Sequence, residues 1–341
     1  MISRLNLLTT NMCVFNGSTV VPQRNYKVTV VGASGSVGQN LSMLLKMNKL
    51  VSHLALYDVK HKAHDVALDI SHINTSATVN GYKGREQLPD ALDRASVVVI
   101  PASIPRKPGM TQYELFRENA NLIRDLTKSI ARHCPDAIIA ILTGPLNSLV
   151  PITSEVLKKE GVYDPRRVMG VTTLDVVRAC TFIGEMNCID PSMVSVPVIG
   201  GNSGLSVVPV LSQSNPPLDW CSMPDIQNLT FRIQEGDNEV VKAKGGGKPT
   251  LSMAFAASKF TTSVLRALDG EENIVECAYV QTGLDKPSYF AYPVLLGECG
   301  VERVIGAGPL NMFEAQLLRK AMPELLSNIR SGVIFATNYH S

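Results

Sequence analysis

A chain of 341 residues is long enough for two ordinary domains, each burying its own core. At 45% apolar and 18% charged residues it has the composition of a globular protein, and no run approaches the roughly 20 apolar residues of a membrane-spanning helix. A net charge of +2, with Lys and Arg scattered, gives no electrostatic footprint for nucleic acid, so neither nucleic acid nor a membrane is expected as a partner.

The first 25 residues contain Arg4 and Arg24, several Ser and Thr, and no acid; the first carboxylate is Asp58. That pattern reads as a weak mitochondrial transit peptide, with an untargeted flexible tail and a cytoplasmic location as the alternative. The C-terminal Tyr339-His340-Ser341 does not match a peroxisomal address.

From Tyr26 onward, short β-branched runs alternate with longer amphipathic stretches, as a parallel sheet with crossover helices requires. Val28 to Val31 reads as a strand, Val37 to Met47 as a helix and Leu54 to Tyr57 as a second strand. Ser96 to Ile100 and Ala137 to Leu142 are further strands, with a helix from Glu114 to His133 between them. These make a Rossmann-type, doubly wound domain over residues 26–148, after a leader or tail of residues 1–25.

The pattern over residues 149–335 is more mixed and reads as a second, α+β domain. Helical periodicity runs from Thr173 to Phe182, strands are expected at Val194 to Ile199 and Ser206 to Val210, and Leu229 to Lys242 reads as one amphipathic helix. After Gly245-Gly246-Gly247 come a helix from Thr250 to Leu268, strands at Ile274 to Val280 and Tyr292 to Leu296, and a helix from Pro309 to Arg330.

The seven cysteines are widely spaced with no C-x-x-C pair, which points to reduced, mostly buried thiols and no metal site. None of the six histidines lies between Cys134 and Tyr339.

Gly32-Ala33-Ser34-Gly35-Ser36-Val37-Gly38 follows a strand directly and opens a helix. Glycine is needed there because a side chain would hold a pyrophosphate away from the backbone N–H groups at the positive end of the helix. Taken alone, the run also fits a structural strand-to-helix turn. Asp58 closes the second strand, where an acid accepts hydrogen bonds from ribose hydroxyls and repels a 2′-phosphate, so the cofactor is expected to be NAD rather than NADP.

With these stretches stand Pro105-Arg106-Lys107-Pro108-Gly109-Met110-Thr111, Gly170-Val171-Thr172-Thr173-Leu174-Asp175-Val176-Val177-Arg178 and Pro197-Val198-Ile199-Gly200-Gly201. Asp69-Ile70-Ser71-His72-Ile73 and Thr250-Leu251-Ser252-Met253-Ala254 extend the set. In this order they resemble the malate dehydrogenase family of mitochondrial type, over about residues 26 to 335. The resemblance implies an NAD-binding domain at residues 26–148 and a substrate-binding and dimerisation domain at residues 149–335, with malate or oxaloacetate bound between the lobes and exchanging a hydride with NAD while a histidine handles the hydroxyl proton. It assigns Arg106 to the distal carboxylate and Arg178 to the carboxylate beside the reacting carbon, where a guanidinium grips two oxygens at once. A solvated loop arginine at 106 and a plain i, i+3 ion pair of Arg178 with Asp175 are the structural alternatives. Asn119, Thr143 and Met253 match family positions beside the cofactor, with Gly32, Gly35, Gly38 and Asp58.

The groups expected to face the reacting carbonyl are replaced. Where the family pattern reads Gly-Gly-His-Ala-Gly, this chain has Gly200-Gly201-Asn202-Ser203-Gly204, and a carboxamide cannot accept and return a proton near neutral pH. The family's second loop arginine is Gln112, its Ser-Asn-Pro is Thr143-Gly144-Pro145, and Ser103 stands in its Pro-Ala-Gly turn. Asp175, whose family role is to orient the histidine, is left facing an amide.

The expectation is therefore a malate dehydrogenase homologue that binds NAD and a dicarboxylate with impaired catalysis and a regulatory or structural role. It would act as a homodimer or paired with an active paralogue in the mitochondrial matrix. An active dehydrogenase of malate or another 2-hydroxy acid, using an unusual proton donor such as Asp175, is the alternative.

Overall fold

The computed structural model describes residues 26–59, 62–105, 109–283 and 287–338. The expected leader and Arg106 lie outside these residues.

The first half alternates strand and helix: β1 (Tyr26–Val31), α1 (Ser36–Lys46), β2 (Val51–Asp58), α2 (Lys62–Ser71), β3 (Thr78–Lys83), α3 (Leu88–Leu92), β4 (Val97–Ile100), α4 (Gln112–His133), β5 (Ile138–Ile141), α5 (Leu146–Lys159) and β6 (Val168–Val171). The strands pair in parallel in the order β3-β2-β1-β4-β5-β6, the doubly wound Rossmann arrangement that the alternating pattern implies. Burial on both faces explains the uninterrupted apolar strands. Val97 and Val99 point into one core with Val28, Val30 and Leu41, whereas Val98 and Ile100 point into the other with Ile123 and Ile139. Each such side chain, fully buried, contributes about 1.5–3 kcal/mol.

The second half contains α6 (Thr173–Asn187), β7 (Val198–Gly200), β8 (Val207–Pro209), α7 (Met223–Gln234), α8 (Gly236–Ala243), α9 (Leu251–Leu268), β9 (Ile274–Gln281), β10 (Tyr289–Gly297), β11 (Gly300–Val304) and α10 (Met312–Thr337). Here the sheet continues with antiparallel pairing, β9 against β6, then β10, β7 and β8, with β11 pairing the far end of β10, from Val294 to Gly297. α9 packs on α1 and α10 on α5, and Ser148 Oγ on α5 donates to Asn328 O on α10 at 2.8 Å. These contacts brace one half against the other around the site.

Two differences from the sequence pattern have clear causes. The helix expected from Leu229 to Lys242 is interrupted at Glu235, giving α7 and α8, at the junction with Gly236, a poor helix former that lies directly against Arg178. α5 is not evident from periodicity because Leu146 to Ser154 are buried all round, so no polar face is left to mark it. Of the described cysteines, Cys134, Cys180 and Cys277 are buried, while Cys188 and Cys299 are exposed. No helix among the described residues is long and apolar enough to cross a membrane.

Candidate active site

The order of the parallel strands reverses between β1 and β4, and an open α/β sheet places its ligand crevice at such a point, beyond the carboxyl ends of the strands. Gly32 leaves β1 with φ +95°, and a Cβ there would lie 2.6 Å from Ala102 Cα, so only glycine lets the two chains pass this closely. Gly38 packs the start of α1 onto the same turn, where a Cβ would run into Gly32 O and sit 2.7 Å from Ala33 Cα. Gly35 is the N-cap of α1 and supplies no side-chain cap, so the first amides of that helix point toward the turn without a side chain over them.

Asp58 ends β2 beside this turn. Its Oδ2 accepts from Ser34 N at 3.2 Å and from Ser34 Oγ at 2.5 Å, which fixes the carboxylate against the glycine loop. A carboxylate has about four acceptor positions, so these bonds are compatible with binding a ribose diol as well. A bare helix end next to a fixed carboxylate fits an adenine dinucleotide.

Thr143 and Asn119 tie the strand ends together. The Thr143 hydroxyl lies 3.0 Å from Ile100 O and 2.7 Å from Ala102 O, joining the ends of β4 and β5. Buried Asn119 accepts from Ile104 N at 2.8 Å and donates Nδ2 to Gly144 O at 3.2 Å. Both residues thus brace the crevice wall. Gly144 is exposed, with open space where a Cβ would be. Gln112 is exposed at the first residue of α4, and Met253 is half-buried in the first turn of α9.

A second cluster comes from α5, α6, α8 and the loop after β7. Asp175 is buried on α6, and Asn202 Nδ2 donates to its Oδ2 at 3.4 Å. One turn along α6, the buried Arg178 places Nη1 3.8 Å from Asp175 Oδ1 and Nη2 2.6 Å from Asp237 Oδ1. The Asn202 loop is closed by Gly201 N donating to Ser206 O at 2.7 Å, and Asn202 N donates to Asn147 Oδ1 at 3.0 Å. Burial pushes the Asp175 carboxyl up, Arg178 pulls it down, Asp237 pushes it up and the Asn202 amide pulls it down, with a net rise to about 7. The structure therefore brings Asp175, Arg178 and Asn202 together. Asn147 and Asp237 join them without having been evident in the sequence: Asn147 sits in a stretch that reads as a turn, and Asp237 within a charged helix face.

Residues 26–170 match the lactate/malate dehydrogenase NAD binding domain, and residues 172–336 match the lactate/malate dehydrogenase alpha/beta C-terminal domain. The chain belongs to the malate dehydrogenase family within the lactate/malate dehydrogenases. It is 50% identical over 317 residues to "Malate dehydrogenase, mitochondrial" of Sus scrofa, covering 93% of each chain. It is also 52% identical over 311 residues to "Malate dehydrogenase, glyoxysomal" of Oryza sativa subsp. japonica, covering 91% of this chain and 87% of that one. The fold matches the apo malate dehydrogenase of Picrophilus torridus with a TM-score of 0.79 at 22% identity, covering 92% of this chain and 99% of that one. It also matches the Cryptosporidium parvum lactate dehydrogenase complexed with lactic acid and nicotinamide adenine dinucleotide, with a TM-score of 0.78 at 24% identity, covering 93% and 99%.

The family's cofactor is NAD, and the crevice at Gly32, Gly35, Gly38 and Asp58 has the shape and charge for it. An Asp58→Asn variant is expected to weaken NADH binding about tenfold or more, since a hydrogen bond to a charged group is worth about 1.5–3 kcal/mol. Fluorescence titration with NADH measures this, and an unchanged Kd would remove Asp58 from the site.

Proposed function

We propose that this malate dehydrogenase homologue binds NAD and a four-carbon dicarboxylate, malate or oxaloacetate, but turns them over poorly and serves a regulatory or structural role. The observation that carries this reading is the Asn202 amide hydrogen-bonded to the buried Asp175 carboxylate, at the position where the family pattern has its proton-handling histidine. Bound NAD supplies the hydride acceptor or donor. Arg178, together with Arg106, would hold the two carboxylates; Asp175 would hold the side chain at position 202; Asn147 would hold the loop on which that side chain sits. The amide can orient a hydroxyl but has no proton equilibrium near neutral pH, and losing a general base costs about 10²- to 10⁴-fold. Gln112 puts a neutral amide where the family pattern has a cation, and Gly144 removes a polar side chain, from around the carbonyl.

The reading includes a homodimer, or a heterodimer with an active paralogue, through a two-fold surface of the family kind. It places the chain in the mitochondrial matrix, in keeping with the mitochondrial relatives and the N-terminal composition, with the cytoplasm as the alternative.

The test is steady-state oxaloacetate reduction by purified protein, run beside the Sus scrofa relative, with NADH binding measured separately. NADH binding with kcat about 10²-fold or more below the relative is expected; comparable kcat values would overturn the proposal. A second reading, an active dehydrogenase with Asp175 as its base, draws support from the rise of that carboxyl to about 7. It requires a pH–rate profile with a rising limb near neutrality that disappears in Asp175→Asn.

A further inference from the structure

Arg178 already holds a carboxylate that belongs to the chain itself. Its side chain is 10% exposed, whereas that of Asp237 is 62% exposed, so the acid reaches in from the rim to a buried cation. Gly236 makes this approach possible, because a Cβ there would lie 2.8 Å from Arg178 Cδ and 3.0 Å from Nε. The first turn of α8 thereby rests on the guanidinium and places Asp237 Oδ1 2.6 Å from Nη2. Despite that distance the contact is not an aligned hydrogen bond, and Nη2 has no aligned acceptor among the described residues. The geometry is that of a charge held over a donor whose directed bond is still to be made.

We propose that Asp237 determines the ligand preference of this site: it competes with an incoming carboxylate for Arg178, so a carboxylate ligand is admitted only when the first turn of α8 gives up the guanidinium. This rests on the reading that Arg178 receives the carboxylate beside the reacting carbon. Two physical arguments support competition over co-binding. A ligand oxygen seeking Nη2 must enter the space that Asp237 Oδ1 occupies, and two carboxylates at one guanidinium repel at short range where burial limits screening. Asp175 adds a second acid 3.8 Å from the same group, so the positive charge left for a ligand is small whenever both acids are ionised. The high exposure of Asp237 means that it returns to water at little cost, and the block is reversible.

The test uses malonate, a dicarboxylate that cannot be reduced, titrated calorimetrically into the full chain with and without saturating NADH. Asp237→Asn keeps the shape and removes the charge, and is expected to tighten malonate about tenfold or more while leaving the NADH Kd unchanged. Adding Arg178→Gln to that variant is expected to erase the gain. Malonate bound equally by the parent and by Asp237→Asn overturns the inference while leaving Arg178 as a carboxylate site. A gain that survives Arg178→Gln overturns it as well. Absence of malonate binding in all three proteins overturns both the inference and the dicarboxylate part of the proposed function; NADH titration of the same proteins reports separately on the NAD part.

Discussion

Restoring Asn202→His together with Gln112→Arg and Gly144→Asn is expected to raise kcat/KM for malate oxidation by about 10²- to 10⁴-fold. Most of that gain belongs to position 202, because an imidazole there supplies the missing base and faces an acid that can stabilise its cation. The amide already points at Asp175 across 3.4 Å, so the longer imidazole needs only to keep that direction. Gly144 offers open space for an asparagine side chain, and Gln112 is exposed, so neither restored residue displaces packed atoms. A carbonyl-polarising donor is worth about 10²- to 10³-fold, yet the base and the donors act on one transition state and their factors do not multiply freely. The single Asn202→His variant should accordingly recover a large part of the rate, and the triple variant more. Steady-state kinetics of the parent, the single and the triple variant decide this. A triple variant that binds NADH but oxidises malate no faster than the parent would place the lesion elsewhere. Adding Asp237→Asn would then identify the occupied Arg178 as its source.

The parts of the molecule that were legible in the sequence are those built from neighbours in the chain. β1, the glycine turn, α1 and Asp58 form one unbroken βαβ unit whose chemistry depends on spacing alone, and the structure assembles it in that form. The apolar run of β4 announces a strand buried on both faces. β3 is obscured by Asn80-Gly81, a pair that normally signals a turn; Gly81 is there because His64 Cα of α2 comes within 2.7 Å of where its Cβ would be. Asp175, Arg178 and Asn202 could be selected through the family resemblance, since their motifs are short. Their partners could not. Asn147 reaches Asn202 from α5, and Asp237 reaches Arg178 from α8, so each contact exists only after distant helices have packed. In sequence, Asp237 is one acid among several on a solvated helix.

Asp175 also governs how stability responds to pH. Its carboxyl titrates at about 7 in the folded chain, against about 3.9 for an aspartate in an unfolded one. The folded state therefore holds the proton more tightly, and the unfolding free energy contributed by this group falls as pH rises through the window from about 4 to about 7. Below the window the stabilisation is fully present; above it the carboxylate is charged in both states and the whole cost of burying that charge falls on the folded chain. Replacing the group with an uncharged isostere removes the dependence. The advantage of Asp175→Asn over the parent should thus be absent below about pH 4, small at pH 5 and larger at pH 8 by a further margin on the order of a few kcal/mol, because each tenfold difference in proton affinity between the two states corresponds to about 1.4 kcal/mol. Arg178 loses one of its two acids in this variant, but Asp237 stays 2.6 Å away, so the guanidinium is not stranded. Urea unfolding at both pH values measures the difference. The opposite result, with Asp175→Asn weakened more at pH 8 than at pH 5, would mean that the attraction of Arg178 outweighs burial and that the carboxyl titrates below its ordinary range. Asp175 would then be a permanent anion beside Arg178, unfit to serve as a base, and the active-dehydrogenase reading would lose the proton acceptor it names.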